Sequence, residues 1–213
     1  MESHTMSRGI QALADQLGVN PDHVVRAIRY VKATHPQERE DRHGHLSEFQ
    51  FLNRVNSDYR ILTTVGNLAM RFAGRTEDAH LLVNIYKASV GTAVPRPVVR
   101  EGIGTLPKHY HHESVQHGIR ILHAAGLPPI RISGNRTLEP GFLVTPNCGD
   151  LGNWLFVTPD PGAENRKGFA GGREGYLAVM RWARWGFLTA SMPGDYFAVR
   201  PPEIANHSPH QPH

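Results

Sequence analysis

Histidines are the residues best suited to chemistry in this sequence, and five of them fall in the stretch KHYHHESVQHGIRILH. They are His109, His111, His112, His117 and His123. Two zinc ligands on one helix face need i,i+4 spacing, as in H-E-x-x-H. His112 to His117 is five residues and His117 to His123 is six, so no pair along this helix fits. The sequence therefore predicts no metal site, and nothing else in it names a cofactor.

The tripeptide His109-Tyr110-His111 leaves an enzymatic alternative open. It resembles the His-hydrophobic-His motif of rolling-circle nicking enzymes, which place both histidines on a strand and a nucleophilic tyrosine on a later helix. Pro107 disfavours a central strand at this point. The best later tyrosine, Tyr176, lacks the lysine that accompanies it in that family. A replication-origin binding or nicking enzyme remains an alternative, and the main expectation is a protein that is not an enzyme.

The chain has one cysteine, Cys148, in the segment TPNCGDLGN. A single cysteine forms no intrachain disulfide and no cysteine-based zinc finger. A thiol nucleophile would need a histidine as its base, and in a papain-like order that histidine comes later. The later histidines all lie in the polar C-terminal tail, so Cys148 is interpreted as a loop cysteine.

Charge and composition favour a polyanionic partner without requiring one. The 213 residues carry a net charge of +4, and arginine supplies 19 of the 23 basic side chains. Guanidinium groups match phosphate oxygens and guanine edges, although an arginine excess also fits a GC-rich genome. No segment approaches the ~20 apolar residues of a membrane span, and MESHTMSRG has no apolar signal core. We expect a cytoplasmic protein with no membrane partner.

The stretch IQALADQLGVNPDHVVRAIRYV predicts two helices joined by a tight turn. Ala14 is small enough for a close helix crossing, and Gly18 suits a backbone with positive φ. Asn20 and Pro21 are typical of the N-cap and the first residue of the second helix. Val24 is expected in the core between the two helices.

This stretch resembles the helix-turn-helix of lactose-repressor-like bacterial regulators, which has the same Ala, Gly and Val spacing. The resemblance implies that the second helix enters the DNA major groove. Carried over by position, the residues expected to contact DNA are Asn20, Asp22, His23, Val25, Arg26 and Arg29. Arg26 and Arg29 would bind guanine or phosphate, whereas Asp22 places a negative charge near the groove.

A second ordered block begins with a helix for which Thr76 is the expected N-cap. A short helix over 96–104, a helix over 112–126 and a hairpin built from PPIRIS and FLVTP follow. This order of elements resembles a winged helix over 76–146. The implied DNA contacts in this block are His111, His112, Gln116, Arg120, Arg131 and Arg136.

The last block repeats a helix followed by a strand. NWLFVTP and DYFAVRPP are predicted strands, and a helix over 174–185 is expected to end at Gly186. AENRKGFAGGRE is predicted to be a mobile basic loop, whose Arg166, Lys167 and Arg173 could lie along a DNA backbone. In RWARW, a core position for the tryptophans is favoured over base stacking.

The predicted fold class is mainly α with small β-hairpins, that is α+β. The predicted division is a helix-turn-helix segment at 8–34, a linker at 35–48, a winged-helix-like domain at 49–146, a helix-plus-strand subdomain at 147–203 and a disordered tail at 204–213. We expect a sequence-specific double-stranded DNA-binding protein, a regulator or repressor of a phage or mobile element, with a homodimer left open. The other alternative is a protein-binding helical adaptor.

Overall fold

The computed structural model describes residues 2–35, 40–41, 44–91, 112–133, 136–146, 154–188 and 196–202. The helices in these ranges are α1 (Glu2–Leu17), α2 (Pro21–Thr34), α3 (Glu48–Ser57), α4 (Tyr59–Phe72), α5 (Thr76–Ser89), α6 (Glu113–Ala124) and α7 (Gly172–Trp182). The strands are β1 (Glu40–Asp41), β2 (Gly44–His45), β3 (Arg131–Ser133), β4 (Arg136–Glu139), β5 (Leu143–Pro146), β6 (Leu155–Thr158), β7 (Gly186–Phe187) and β8 (Phe197–Arg200). A 3-10 turn spans Ala163–Asn165. The predicted α+β class is confirmed.

All strand pairs of these sheets are antiparallel. β1 pairs with β2 inside the predicted linker, β3 pairs with β4, and a four-stranded sheet has the order β5-β6-β8-β7. The β5–β6 pair joins strands from both sides of the predicted boundary between 146 and 147. The two segments that the sequence assigns to separate domains therefore contribute strands to one sheet.

One continuous cluster of buried apolar side chains extends from the N-terminal helices to the last strands. α2 packs on α4, α4 on α5, and α5 on α6. Gly66 of α4 allows a close approach of its neighbours, because a Cβ there would lie 2.8 Å from Leu82 Cδ2 and 2.9 Å from Trp182 Cη2. The glycine lets the Trp182 ring of α7 reach the surface of α4.

The predicted pairing of the hairpin is wrong. The partner of β3 is β4, whose four residues are all exposed, whereas the apolar FLVTP segment supplies β5 and pairs with β6. Phe142 and Val144 are buried and need cover, which a two-stranded hairpin cannot give. Only an isolated bridge joins Phe142 to Pro129.

Two predicted helix ends also differ. α5 has Arg75 at its N-cap, with Thr76 as the first helical residue. The left-handed residue after α7 is Arg184, with φ 63°, and Gly186 lies in β7. The Arg184 guanidinium donates to the carbonyl oxygens of Asn56 and Ser57, each at 3.2 Å. These bonds satisfy the C-terminal carbonyls of α3 and offset the roughly 1–2 kcal/mol that a left-handed conformation costs.

The segment predicted to be a mobile basic loop is packed instead. Phe169 and Ala170 are buried, and the Phe169 N–H donates to Asp78 Oδ1 at 3.0 Å. Gly168 adopts φ 90° directly over Asp78, where a Cβ would lie 2.6 Å from Oδ1. The predicted helix over 96–104, Cys148 and the tail 204–213 lie outside the described residues.

Candidate nucleic-acid interface

The turn between α1 and α2 has the backbone geometry that the sequence predicts. Gly18 adopts φ 63°, and the Val19 N–H donates to the Ala14 carbonyl at 3.0 Å. Asn20 caps α2 by accepting from the Asp22 N–H at 2.9 Å, and Pro21 is the first helical residue. The predicted positive φ and N-cap are both confirmed. Together they fix the direction in which α2 leaves the turn.

Arg75 holds this turn from the far side of the sequence. Its Nη1 donates to the carbonyl oxygens of Leu17 at 2.7 Å and Gly18 at 2.8 Å. Its Nε donates to Asp78 Oδ2 at 2.8 Å, in a pair that is partly shielded from solvent. A cation at the C-terminus of a helix is favoured by the helix dipole. Arg75 thus stabilises the end of α1 and ties it to the start of α5.

The inner face of α2 is fully packed. Val24, Ala27 and Val31 are buried, and Ala14 of α1 has no exposed surface. α2 contacts α4 along this face as well as α1. The predicted core positions Ala14 and Val24 are therefore confirmed, and α2 has a rigid support behind it.

The outer face of α2 carries a row of exposed residues that we name the outward stripe: Asp22, Arg26, Arg29 and Ala33. Their spacing of four, three and four residues places them on one side of the helix. The row spans about 16 Å at 1.5 Å per residue. Two guanidinium groups and one carboxylate give it a single net positive charge.

Arg26 and Arg29 differ in how they are held. The Arg26 guanidinium carbon lies 4.2 Å from the centre of the Phe72 ring of α4, and Tyr30 meets the same ring edge-on at 6.4 Å. Arg29 is exposed, and no hydrogen bond or ion pair joins it to another described residue. Arg29 is consequently the stripe cation with the greatest freedom to reach a ligand.

Three other residues carried over by the resemblance are less available. The Asn20 side chain serves as the helix cap. His23 is half-buried, and its Nδ1 is buried with no hydrogen-bond partner among the described residues. Val25 is half-buried and lines a cavity shared with α1 and α3. Of the six residues carried over by the resemblance, Asp22, Arg26 and Arg29 therefore remain the most available to a partner.

The second predicted block presents a different surface. α6 packs against α5, α7 and β5, and only His112 and Glu113 at its N-terminal end are exposed. Gln116 and Arg120 are half-buried. The structure does not give α6 an exposed row comparable to the outward stripe. His111, together with His109, lies outside the described residues.

The remaining predicted contacts are spread over several elements. Arg131 pairs with Glu139 across the β3–β4 hairpin. Arg166 contacts Asp160 Oδ2 and the Gly126 carbonyl, both at 3.4 Å. The other three residues are exposed. Arg136 lies on β4, Lys167 follows the 3-10 turn, and Arg173 lies in the first turn of α7.

Two other kinds of feature, a metal site and a membrane span, have no candidate within the described ranges. No group of three or more His, Cys, Asp or Glu side chains is arranged there to hold a metal ion. None of the helices described has both the length and the apolar character needed to cross a membrane. Comparisons of the chain with protein-family models, with curated proteins and with solved structures give no match.

Proposed function

We propose that this protein binds double-stranded DNA in a sequence-specific way, with α2 in the major groove. The observation that carries the proposal is the outward stripe, an exposed row on a helix whose opposite face is buried against α1 and α4. The major groove of B-DNA is about 12 Å wide and admits one α-helix. A regulator or repressor of transcription, such as one of a phage or mobile element, is the role that this binding would serve.

The chemistry of the stripe supports base recognition as well as phosphate binding. Arg29 can donate two parallel hydrogen bonds to guanine O6 and N7. Arg26, held on Phe72, would contact the phosphate backbone beside the groove. Asp22 can accept from a cytosine amino group, and it also lies in the first turn of α2, where a carboxylate stabilises the helix dipole. The acid that opposes non-specific DNA affinity thus has a structural role.

The test is a comparison of two charge-matched variants. A duplex site is first selected from random sequence with the full chain, and affinities are then measured by fluorescence anisotropy. Arg29→Ala should weaken binding by about 10- to 100-fold, the loss expected for one base-contacting arginine. Arg181→Ala removes the same charge from α7, where the side chain rests on Phe187, and should change affinity less than about twofold.

Salt dependence shows which DNA group Arg29 contacts. If Arg29 binds a phosphate, the slope of log affinity against log salt should fall by about one in Arg29→Ala. If Arg29 binds a base, the slope should stay unchanged and discrimination between sites should fall. Equal losses in Arg29→Ala and Arg181→Ala would show that net charge alone drives binding, and would refute the proposed role of α2.

A further inference from the structure

A small cavity lies behind one edge of the outward stripe, where α1, α2 and α3 meet. Its volume is about 200 Å³. Its walls are apolar side chains from all three helices: Ile10 of α1, Val25 and Ile28 of α2, and Phe51 and Leu52 of α3. Phe51 and Leu52 are buried and form the floor, whereas the other three are half-buried. We refer to this space as the α1–α3 cavity.

The two helices that flank α2 approach each other closely beside the cavity. A Cβ at Gly9 of α1 would lie 3.1 Å from Leu52 Cδ2 of α3. This contact brings α1 and α3 together beside the cavity. A helical peptide docks along a groove with anchor positions over at least two turns, which a recess of this size does not offer.

The other two described residues of the lining are both cations. Arg29 and Lys32, three residues apart on α2, border the apolar walls, and Arg29 is exposed while Lys32 is half-buried. No aspartate or glutamate is among the described residues that line the cavity. Side chains at i and i+3 are neighbours on a helix, so these two positive charges repel each other and together attract an anion.

We propose that the α1–α3 cavity binds a small organic acid with an apolar body and a single carboxylate. The apolar part would displace water from the walls formed by Ile10, Val25 and Ile28, and Phe51 would lie beneath it. The carboxylate would sit at the opening and accept hydrogen bonds from Arg29 and Lys32, because ionised donors and acceptors form the stronger bonds. A cavity of about 150 Å³ can hold benzene, so about 200 Å³ suits roughly eight to ten heavy atoms.

The site also couples to DNA binding, and this second part rests on the proposed function. Arg29 belongs both to the outward stripe and to the lining of the cavity. A carboxylate that engages the Arg29 guanidinium competes with guanine or phosphate for the same donors. The acid would therefore act as an effector that lowers the affinity of the chain for its DNA site.

Octanoate, with ten heavy atoms, is a suitable probe, and octanol and octylammonium are its chain-matched neutral and cationic controls. Binding to the full chain is measured by isothermal titration calorimetry below the concentration at which micelles form. Octanoate should bind at least tenfold more tightly than octanol, and octylammonium should bind more weakly than both. Similar affinities for all three would overturn the proposal, because they would indicate non-specific association of the alkyl chain.

Two variants locate the binding. Ile10→Phe fills the cavity from α1 and should weaken octanoate binding at least tenfold, whereas Lys32→Gln removes one charge and should weaken octanoate several-fold without affecting octanol. Far-ultraviolet circular dichroism checks that each variant is folded. If Ile10→Phe does not fold, the selective effect of Lys32→Gln on octanoate decides the matter. Unchanged octanoate affinity in a folded Ile10→Phe variant, or in Lys32→Gln, would refute the site.

Sedimentation equilibrium tests the competing occupant, a second copy of the chain. A dimer that dissociates in the Ile10→Phe variant would show that the recess is an interface between copies, and would overturn the ligand site. Failure of the two proposals is distinguishable. If octanoate binds as expected and no DNA binding is found, the proposed function fails and the site stands. If DNA binds and saturating octanoate leaves its affinity unchanged, the effector role fails.

Discussion

The α1–turn–α2 region and the α6–hairpin region both carry arginines that the sequence predicts as DNA contacts, yet the two regions present different surfaces. α2 is covered on one side by α1 and α4, and its opposite side exposes the four residues of the outward stripe. α6 is covered by α5, α7 and β5, and its only fully exposed residue is the first, Glu113. The number of neighbours that a helix acquires, rather than its own sequence, determines whether its polar residues can face a partner.

The local signals at the ends of the first helix in each region are nearly the same. α1 is followed by Gly18 and α6 by Gly126, with φ 63° and 75°. The Val19 N–H donates to the Ala14 carbonyl, and the Leu127 N–H donates in the same way to the Leu122 carbonyl at 3.2 Å. The turns are alike, but α1 leads into a helix with a free face, whereas α6 leads into strands.

The largest effect is expected from Trp182→Ala, which asks whether the two regions unfold together. Trp182 is buried between Gly66 of α4 and Phe169, whose ring lies edge-on at 6.2 Å. Its removal should lower the free energy of unfolding by about 3–5 kcal/mol. Chemical denaturation followed by circular dichroism should show one transition in the wild type and one in Trp182→Ala, because one core cluster spans the two regions.

A matched control for this variant is Trp154→Ala. Trp154 is half-buried, and Arg200 lies 5.7 Å from its ring centre. Its loss should cost less than that of Trp182, since less apolar surface returns to water. Two separate unfolding transitions in Trp182→Ala would show that the two regions unfold independently. They would then not form one folding unit.

The next effect separates the two turns. Gly18→Ala forces an alanine into a left-handed conformation and places its Cβ 3.2 Å from Arg75 Nη1. Gly126→Ala introduces the same backbone strain, with Leu81 Cδ2 at 3.6 Å as the nearest atom. Each should lower the free energy of unfolding by roughly 1–2 kcal/mol. Only Gly18→Ala should also weaken DNA binding, because it disturbs the turn that orients α2. Equal DNA affinities in two folded variants would contradict this.

What the sequence predicts and what it misses follow from the range of the interactions. Gly18, Asn20 and Pro21 act through bonds to residues at most a few positions away, so their composition alone indicates the turn. Arg75 acts on carbonyls 57 and 58 residues away, and Arg184 on carbonyls 127 and 128 residues away. No local pattern marks these two arginines as helix-capping residues.

The same limit explains the wrong strand pairing in the second block and the cavity that the sequence does not reveal. FLVTP is recognisably a strand, but its partner β6 lies beyond the segment 147–153, so neighbouring sequence suggested the wrong pair. The half-burial of Arg120 depends on which helices cover α6. Lys32, three residues after Arg29, is a second cation that the sequence shows on the same helix, whereas the cavity beside it depends on the position of α3.

A pH effect of intermediate size is expected from His117 of α6. The pKa of His117 lies below its ordinary value of 6.5, because burial disfavours the charged ring and Arg120 adds repulsion. The unfolded chain therefore binds this proton more readily than the folded one, and stability should fall as the pH is lowered through about 6.5. Denaturation at pH 7.5 and 5.5 should show a smaller pH-dependent loss in His117→Phe, which keeps an aromatic ring beside Trp185.

Burial also lowers the pKa of His123. A smaller pH-dependent loss of stability should therefore remain in His117→Phe. The two histidines belong to α6 and none of this pH dependence arises in the outward stripe. A pH-dependent stability loss identical in the wild type and His117→Phe would show that His117 is not a buried titrating group.

The smallest effect should come from removing charge outside the α1–turn–α2 region. Arg136 on β4 and Lys167 after the 3-10 turn are both exposed, but they lie on separate elements and share no helix face. Arg136→Ala combined with Lys167→Ala should change DNA affinity less than about twofold, apart from a slightly lower affinity at low salt caused by the reduced net charge. The measurement is anisotropy on the selected duplex, beside Arg29→Ala. If the double variant loses as much affinity as Arg29→Ala at physiological salt, residues outside α2 also contact DNA, and the contrast drawn between α2 and the rest of the molecule fails.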